Sequence, residues 1–233
     1  MSMQDKSTLS VKTFDVGPML NIIYLIWDKK TKEAALVDPA WDLKDALSFI
    51  RKNKLFLKSI LLTHSHHDHV NSIDLLLKEF DLPIYINKKE ADFWDKKYDN
   101  IVTTNSEDQI FLGKSHISSI HTPGHTPGSC CYSFGNNLIA GDTLFVFGCG
   151  RCDLHGGNPE EMYNSLKKLK DNLNRDTIIM PGHNYSIKRQ STLSEEISVN
   201  PFFSFDNLRD FVKYRMHDHD KNREEPYSPI LKN

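Results

Sequence analysis

The sequence predicts an α/β (α+β) fold in which two mixed sheets pack together with helices on their outer faces. Three observations predict it. Apolar β-rich runs alternate with segments of helical period as far as about residue 100. From about residue 108 the period shortens to closely spaced β segments with Gly, Pro or Asn at their junctions. The chain then closes on a further helix and a further strand, so two halves each run strands and then helices.

In chain order, "MLNIIYLIWD" and "EAALVDP" are β-rich and separated by "KKTK", which reads as a hairpin. The stretch 42–53 has Leu43, Ala46, Leu47 and Ile50 at helical spacing, with Asp42 as its candidate N-cap. A short strand, "LKSILLT", follows and runs into a histidine cluster. Next come a helix in "NSIDLLLKEF", a strand in "LPIYIN" and a helix in "KKEADFWDKK". Four β segments follow ("QIFLG", "HISSIHTPG", "SCCYSF", "NNLIAGD"), then a helix in "NPEEMYNSLKKLKDNL" and a strand in "DTIIMPGH". Beyond it lie two helical patterns broken at Asn200-Pro201, read as a helical appendage, and a tail, "NREEPYSPILKN", expected to be extended.

A chain of 233 residues forms a sizeable core without disulfides. With 29 basic and 31 acidic residues and a net charge of -2, it has no electrostatic footprint for nucleic acid. No run approaches a membrane span, and the N-terminal "MSMQDKSTLSVKTF" lacks a secretory apolar stretch, so a cytoplasmic protein is expected. The four cysteines are too few for a disulfide scaffold and read as thiols. Cys149 and Cys152 form a C-x-x-C, but a structural zinc would want a second pair, and Cys130 and Cys131 point to opposite faces of one strand.

The chemistry concentrates in "THSHHDH". His64, His66, His67, Asp68 and His69 fall within six positions at a strand exit. A single histidine there would be an ordinary solvated loop residue; five ligand-type side chains make a metal site the better reading. His64 and His66, two apart in extended backbone, project to one side, while Asp68 and His69, past the bend, face a second ion. Imidazole with carboxylate suits zinc, iron or manganese. Three further strand-exit turns present a candidate ligand each: His125 in "HTPGHTPGS", Asp142 in "IAGDTLF" and His183 in "IIMPGHNYS".

Together "THSHHDH", "TPGHTPGS", "GDTLF", "GCGR" and "PGHNY" resemble the metallo-β-lactamase superfamily, and within it the glyoxalase II (hydroxyacylglutathione hydrolase) group, over most of residues 12–185. "STLSEEISVNPF" is similar to that group's C-terminal helical region. The resemblance implies an αββα sandwich, with a catalytic domain at 1–187 and a C-terminal helical appendage at 188–233 that completes the substrate site. It implies two zinc ions, iron or manganese being the alternatives: one held by His64, His66 and His125, a second by Asp68, His69 and His183, with Asp142 bridging. The other histidines (His67, His116, His121, His155, His217, His219) have no ligand role by this reading.

The activity implied is hydrolysis of a thioester by a metal-bound hydroxide, with Asp68 orienting the nucleophile. Substrate contacts are expected from Arg151, Tyr185 and Arg215. The glutathione pattern is incomplete, because Cys152 and Asp153 stand where the group has aromatic residues, and the C-terminal lysine is missing. "GCGRCDLHGGNPEEMYNSL" and "RMHDHDKNREEPY" look more like the glyoxalase-II-like hydrolases of trans-acyltransferase polyketide clusters, such as the bacillaene pathway. That likeness implies an acyl carrier protein as partner and its phosphopantetheine thioester as substrate, in place of acylglutathione. The rival of another class is a mononuclear iron persulfide dioxygenase, similar at "GCGRCD". A non-catalytic scaffold is disfavoured by the retention of all seven candidate ligands.

Overall fold

The computed structural model describes residues 8–223 and 225–230. Its first half holds β1 (Leu9–Val16), β2 (Asn21–Asp28), β3 (Glu33–Val37), α1 (Lys44–Lys52), β4 (Phe56–Leu61), α2 (His67–Val70), α3 (Ile73–Leu77), β5 (Ile84–Asn87), α4 (Lys88–Phe93) and β6 (Ile101–Thr104). The six strands form one sheet in chain order, antiparallel from β1 to β3 and parallel from β3 to β6. The second half holds β7 (Gln109–Leu112), β8 (Ser115–His121), β9 (Cys130–Phe134), β10 (Asn137–Gly141), β11 (Leu144–Phe145), β12 (Gly148–Cys149), α5 (Pro159–Asn172), β13 (Ile178–Pro181) and β14 (Ser191–Thr192). Here the sheet order is β14-β13-β10-β9-β8-β7, with β10 and β13 parallel and the other pairs antiparallel, and β11 and β12 make a separate ribbon.

Three apolar layers account for the sandwich. Ile22, Tyr24 and Ile26 of β2 meet Tyr132, Ile139 and Met180 of the second sheet, forming the layer between the sheets. The alternate residues Ile23 and Leu25 face the other way, against Leu43, Ala46 and Ile50 of the α1 region. A strand buried on both faces needs an unbroken apolar run, which is why "NIIYLI" shows no alternation. On the far side of the second sheet, Leu138, Ala140 and Ile179 pack under Met162, Leu166 and Leu169 of α5. Cys130 lies in the layer between the sheets and Cys131 in this outer layer, the opposite-face placement expected of strand neighbours.

The predicted hairpin across "KKTK" forms, and the Asp28 carboxylate closes it by accepting from the backbone N–H of Lys30 and Thr31. The α1 helix departs from expectation at its start. Leu43, not Asp42, occupies the N-cap position, and Asp42 accepts from Lys44 N (2.9 Å) from one residue further out. By contrast α5 starts as its sequence predicts, with Asn158 accepting from Glu160 N and Glu161 N and Pro159 opening the helix. Strands β1 and β6 and the β11–β12 ribbon were not among the predicted elements.

The two C-terminal helical patterns become α6 (Leu193–Val199) and α7 (Leu208–Lys213), broken by a 3-10 turn at Pro201–Phe203. A π turn, Tyr214–Asp218, and the short α8 (His219–Asn222) follow. Phe202, Phe203 and Phe211 join the same outer layer as Leu138 and Ile179, so this region is seated on the second sheet. Of the tail expected to be extended, Glu224 and residues 231–233 lie outside the described residues; Tyr227 bonds the backbone of Tyr185 and Ile187. Residues 1–7 of the N-terminal stretch are also outside them. Among the described residues no helix is long and apolar enough to cross a membrane.

Candidate metal centre

All seven predicted side chains arrive at one place because each follows a strand that ends at the same edge of the sandwich. His64 and His66 leave β4, Asp68 and His69 sit on α2 immediately after, His125 lies between β8 and β9, Asp142 follows β10, and His183 follows β13. The ligand atoms of His64, His66 and His125 lie within 4.8 Å of one another, and so do those of Asp68, His69 and His183. Asp142 stands between the groups: Oδ1 is 3.4 Å from His69 Nε2, and Oδ2 is 3.5 Å from His125 Nε2 and 3.3 Å from His183 Nε2.

The far side of each ring fixes which nitrogen faces inward. His125 Nδ1 bonds the Arg151 carbonyl (2.7 Å) and His183 Nδ1 the Met19 carbonyl (2.8 Å). Carbonyls only accept, so these Nδ1 atoms carry the protons and the Nε2 lone pairs point into the site. His69 Nδ1 is backed by Asp38 Oδ2 at 3.1 Å. The Thr63 hydroxyl donates to Asp38 and lies 3.1 Å from His64 Nδ1, leaving His64 Nε2 toward the centre.

The donor set fits cations. His64 Nε2 and Asp142 Oδ1 are buried without a hydrogen-bond partner. His69 Nε2 and His183 Nε2 approach to 3.2 Å while their Nδ1 atoms face Asp38 and the Met19 carbonyl, so their inward lone pairs repel unless a proton or a cation lies between them. His66 Nδ1 and His125 Nε2 approach to 2.8 Å, a contact that either a His66 N–H or a cation satisfies. The first group's imidazoles are held neutral, which keeps lone pairs available to an ion. Burial pushes His64 well below the ordinary imidazole range, lowers His66, and takes His125 down to about 4. In the second group burial again opposes charge, but Asp142, Asp38 and Asp68 together push His69 up to about 9. Burial raises Asp142 as well, and His183 and His69 outweigh it, holding that carboxyl well below its usual range.

Three supporting residues were not among the predicted ones. Asp38 had a readable signal, since "LVDP" puts an acid at a strand exit as "AGD" does for Asp142. Asn21 donates to Asp68 Oδ2 (2.8 Å) and accepts from Trp41 Nε1 (2.8 Å), fixing the Asp68 carboxylate. Glu90, fully buried on α4, accepts from Ser65 N (2.7 Å), Ser65 Oγ (2.7 Å), Thr126 Oγ1 (2.7 Å) and Gly128 N (3.0 Å). It therefore ties the His64–His66 loop to the His125 loop. Gly128 must be glycine there, because a Cβ would fall 2.0 Å from Glu90 N.

A cavity of about 350 Å³ opens over His66, Asp68, His125, Asp142 and His183. Its walls include the predicted contacts Arg151, Tyr185 and Arg215, along with Met19, Phe145, Leu154, Asp220, Glu225 and Tyr227. Tyr185 stacks on the His183 ring, centroids 4.7 Å apart. Arg151 forks onto Asp153, and the buried Arg215 donates to Asp220 Oδ1 (2.6 Å). The six histidines set aside belong to neither donor group; His219 faces Arg215 instead. All four cysteines are free and buried; burial pushes Cys149 up to about 12 and Cys152 also upward, so neither is a ready nucleophile.

A sequence profile of the Metallo-beta-lactamase superfamily matches residues 17–183, from the turn before β2 to the last of the clustered histidines. The chain belongs to the metallo-beta-lactamase superfamily. Among superfamily relatives, it is 34% identical over 195 residues to the probable polyketide biosynthesis zinc-dependent hydrolase PksB of Bacillus subtilis (strain 168), covering 84% of this chain and 87% of that one. Identity is 33% to the corresponding BaeB protein of Bacillus velezensis, with the same coverage of 84% and 87%. The crystal structure of ETHE1 from Myxococcus xanthus superposes with a TM-score of 0.81 over 93% of both chains, at 26% identity. The superfamily fold and membership are those its motifs predicted, and with them comes a family of metal-dependent hydrolases.

Proposed function

We propose that this protein is a zinc-dependent thioester hydrolase acting in the cytoplasm on acyl groups held by the phosphopantetheine arm of a polyketide acyl carrier protein. Carrying this reading is the juxtaposition of two complete donor groups, with Asp142 in reach of both, beneath one cavity. His64, His66 and His125 would hold one ion, Asp68, His69 and His183 the other, and Asp142 both. The printed names of PksB and BaeB support zinc, hydrolysis and a polyketide setting. Residues 1–187 form the catalytic domain and 188–233 the appendage that completes the substrate wall, a division supported by Arg215, Asp220 and Tyr227 lining the cavity.

When bound, two such cations supply Lewis acidity, bringing the pKa of a water toward about 7 and polarising the acyl carbonyl. The chain's own residues do the rest. Asp68 has one oxygen occupied by Asn21, which leaves the other to accept from the attacking water and aim it. Tyr185, stacked on His183, limits the approach of the acyl group from one side. A thiolate leaves without a strong general acid.

A mononuclear iron dioxygenase is the second reading, supported by the similarity to ETHE1. The full donor set of both groups favours the hydrolase. An anaerobic assay separates them: thiol release from acyl thioesters, with two metal equivalents per chain, supports the hydrolase. Oxygen uptake with glutathione persulfide at one iron per chain refutes it.

A further inference from the structure

We infer that the C-terminal region sets the geometry of the metal centre through the hairpin between Asp142 and Arg151, with Glu196 and Arg223 as positioning residues that hold its tip. This rests on the metal-centre reading above and gives a role to residues that belong to neither donor group.

The hairpin is rooted in the site at both ends. Asp142, in reach of both donor groups, lies just before β11. Just after β12, the Arg151 carbonyl accepts from His125 Nδ1 (2.7 Å). The two roots are in close contact: a Cβ at Gly150 would fall 1.9 Å from the Asp142 carbonyl oxygen, so glycine is required there. Between the roots, Phe145 sets its ring edge against His183, centroids 5.9 Å apart and planes at 87°. One short hairpin thus bears on Asp142, His125 and His183 together.

Its tip is held from elsewhere. Leu144 pairs with Cys149 and Phe145 with Gly148, which leaves Val146 and Phe147 to turn the chain. Phe147 does so at φ 58°, a left-handed conformation that a large side chain disfavours and glycine would adopt freely. Such a residue persists only where its surroundings hold it. Phe147 is fully buried, with Lys188 Nζ 5.8 Å from its ring centroid. Its N–H donates to Glu196 Oε2 (3.0 Å), and its carbonyl accepts from Arg223 Nη2 (2.8 Å). Asn200 Nδ2 donates both to the Gly148 carbonyl (3.0 Å) and to Glu196 Oε2 (2.7 Å). These polar partners all lie in residues 188–233, outside both donor groups. Without the tip bonds the turn would relax toward an unstrained conformation. Only a two-pair ladder separates it from Asp142 and the Arg151 carbonyl, so the relaxation would reach both roots.

The test compares Glu196→Ala, Glu196→Gln and Arg223→Met with the wild type. It measures zinc affinity by chelator competition, and the visible bands of the cobalt(II)-loaded protein, which report ligand geometry. Each variant is read well below its unfolding range, where a loss of stability alone moves neither readout. In Glu196→Ala and Arg223→Met zinc affinity should fall roughly tenfold, the lower end of what loss of a supporting contact costs a metal site, and the cobalt bands should shift. Glu196→Gln should restore both, because its carbonyl oxygen can take the Phe147 and Asn200 donors while its NH₂ donates to Ser191 Oγ. Should Glu196→Ala not fold, Arg223→Met, at a half-buried position, carries the test alone. Wild-type affinity and bands in the folded variants would overturn the inference and leave the metal centre standing. Absence of zinc binding by the wild type would overturn both.

Discussion

Replacing Glu90 should weaken the metal centre without removing any of its donors. The carboxylate takes four hydrogen bonds from two loops, and two of the donors, Ser65 N and Gly128 N, are backbone groups in buried positions. Glu90→Ala leaves both without a partner, at about 1–3 kcal/mol each, and loses the two hydroxyl bonds besides. Allowing for partial relaxation, unfolding free energy should fall by about 4 kcal/mol. Glu90→Gln keeps the volume and one accepting oxygen but turns an NH₂ toward two donors, so its loss should be about 2 kcal/mol. The clamp spans the loops of His64, His66 and His125, so zinc affinity of that group should drop roughly 10- to 100-fold, and that of the Asp68, His69 and His183 group less. Urea unfolding and competition with a chromophoric chelator read the two quantities separately. Wild-type zinc affinity at both groups in Glu90→Gln, with stability within about 0.5 kcal/mol of wild type, would refute the reasoning.

Other perturbations reach the same centre or its supports. Asp142→Ala should lower the content of both ions together and cut turnover at least about a hundredfold, by elemental analysis and thiol release, because its oxygens face histidines of both groups; wild-type turnover would remove Asp142 from the site. Stripping the ions with a chelator should lower the melting temperature, since an ion at a thousand times its Kd contributes about 4 kcal/mol to the folded state; an unchanged melt would count against metal binding. Gly182→Ala would place a Cβ 2.4 Å from Asp142 Oδ1 and 2.9 Å from His69 Cε1, so zinc affinity should fall at least roughly tenfold; undiminished affinity on titration would contradict the packing. Burial pushes the Glu196 carboxyl from 4.5 up to about 7, against hydrogen bonds from Ser191, Asn200 and Phe147 N. The folded state therefore holds that proton more tightly than the unfolded one. Its contribution to stability declines as pH rises from about 4.5 to about 7 and then levels off. Relative to wild type, Glu196→Gln should gain about 3 kcal/mol between those limits, and a pH-independent difference in urea midpoints would contradict it.

What could be read from the sequence follows from how local each signal is. The clustering of the candidate donors was legible because each sits beside its own strand end and turn residues: "THSHHDH" after "SILL", His125 framed by Pro-Gly, Asp142 and His183 each beside a glycine. Asp38 carried the same kind of signal, but a lone acid before proline reads first as a turn. Glu90 had none, because on the chain it is one acid of a polar helix, and only the fold brings Ser65, Thr126 and Gly128 to it. Strand β1, "LSVKTFDV", alternates imperfectly and gains its identity from pairing along its whole length with β2. Strand β6, "IVTT", is too short to stand out without its parallel partner β5. The α1 cap shows the remaining difficulty, since a one-residue shift of a helix start lies within what composition resolves.

Each of the two candidate donor groups beside Asp142 draws members from both halves of the sandwich: His64 and His66 come from the first and His125 from the second, and likewise Asp68 and His69 with His183. Neither half of the chain alone could assemble more than two donors per group. A bound ion would thus act as a clasp across the seam, and any sliding of one layer past the other would stretch coordination bonds that tolerate only tenths of an ångström. Metal occupancy and the mutual alignment of the layers become one equilibrium, so a substitution deep in the seam, at Tyr132 or Met180, should register as altered ion release even though it touches no donor.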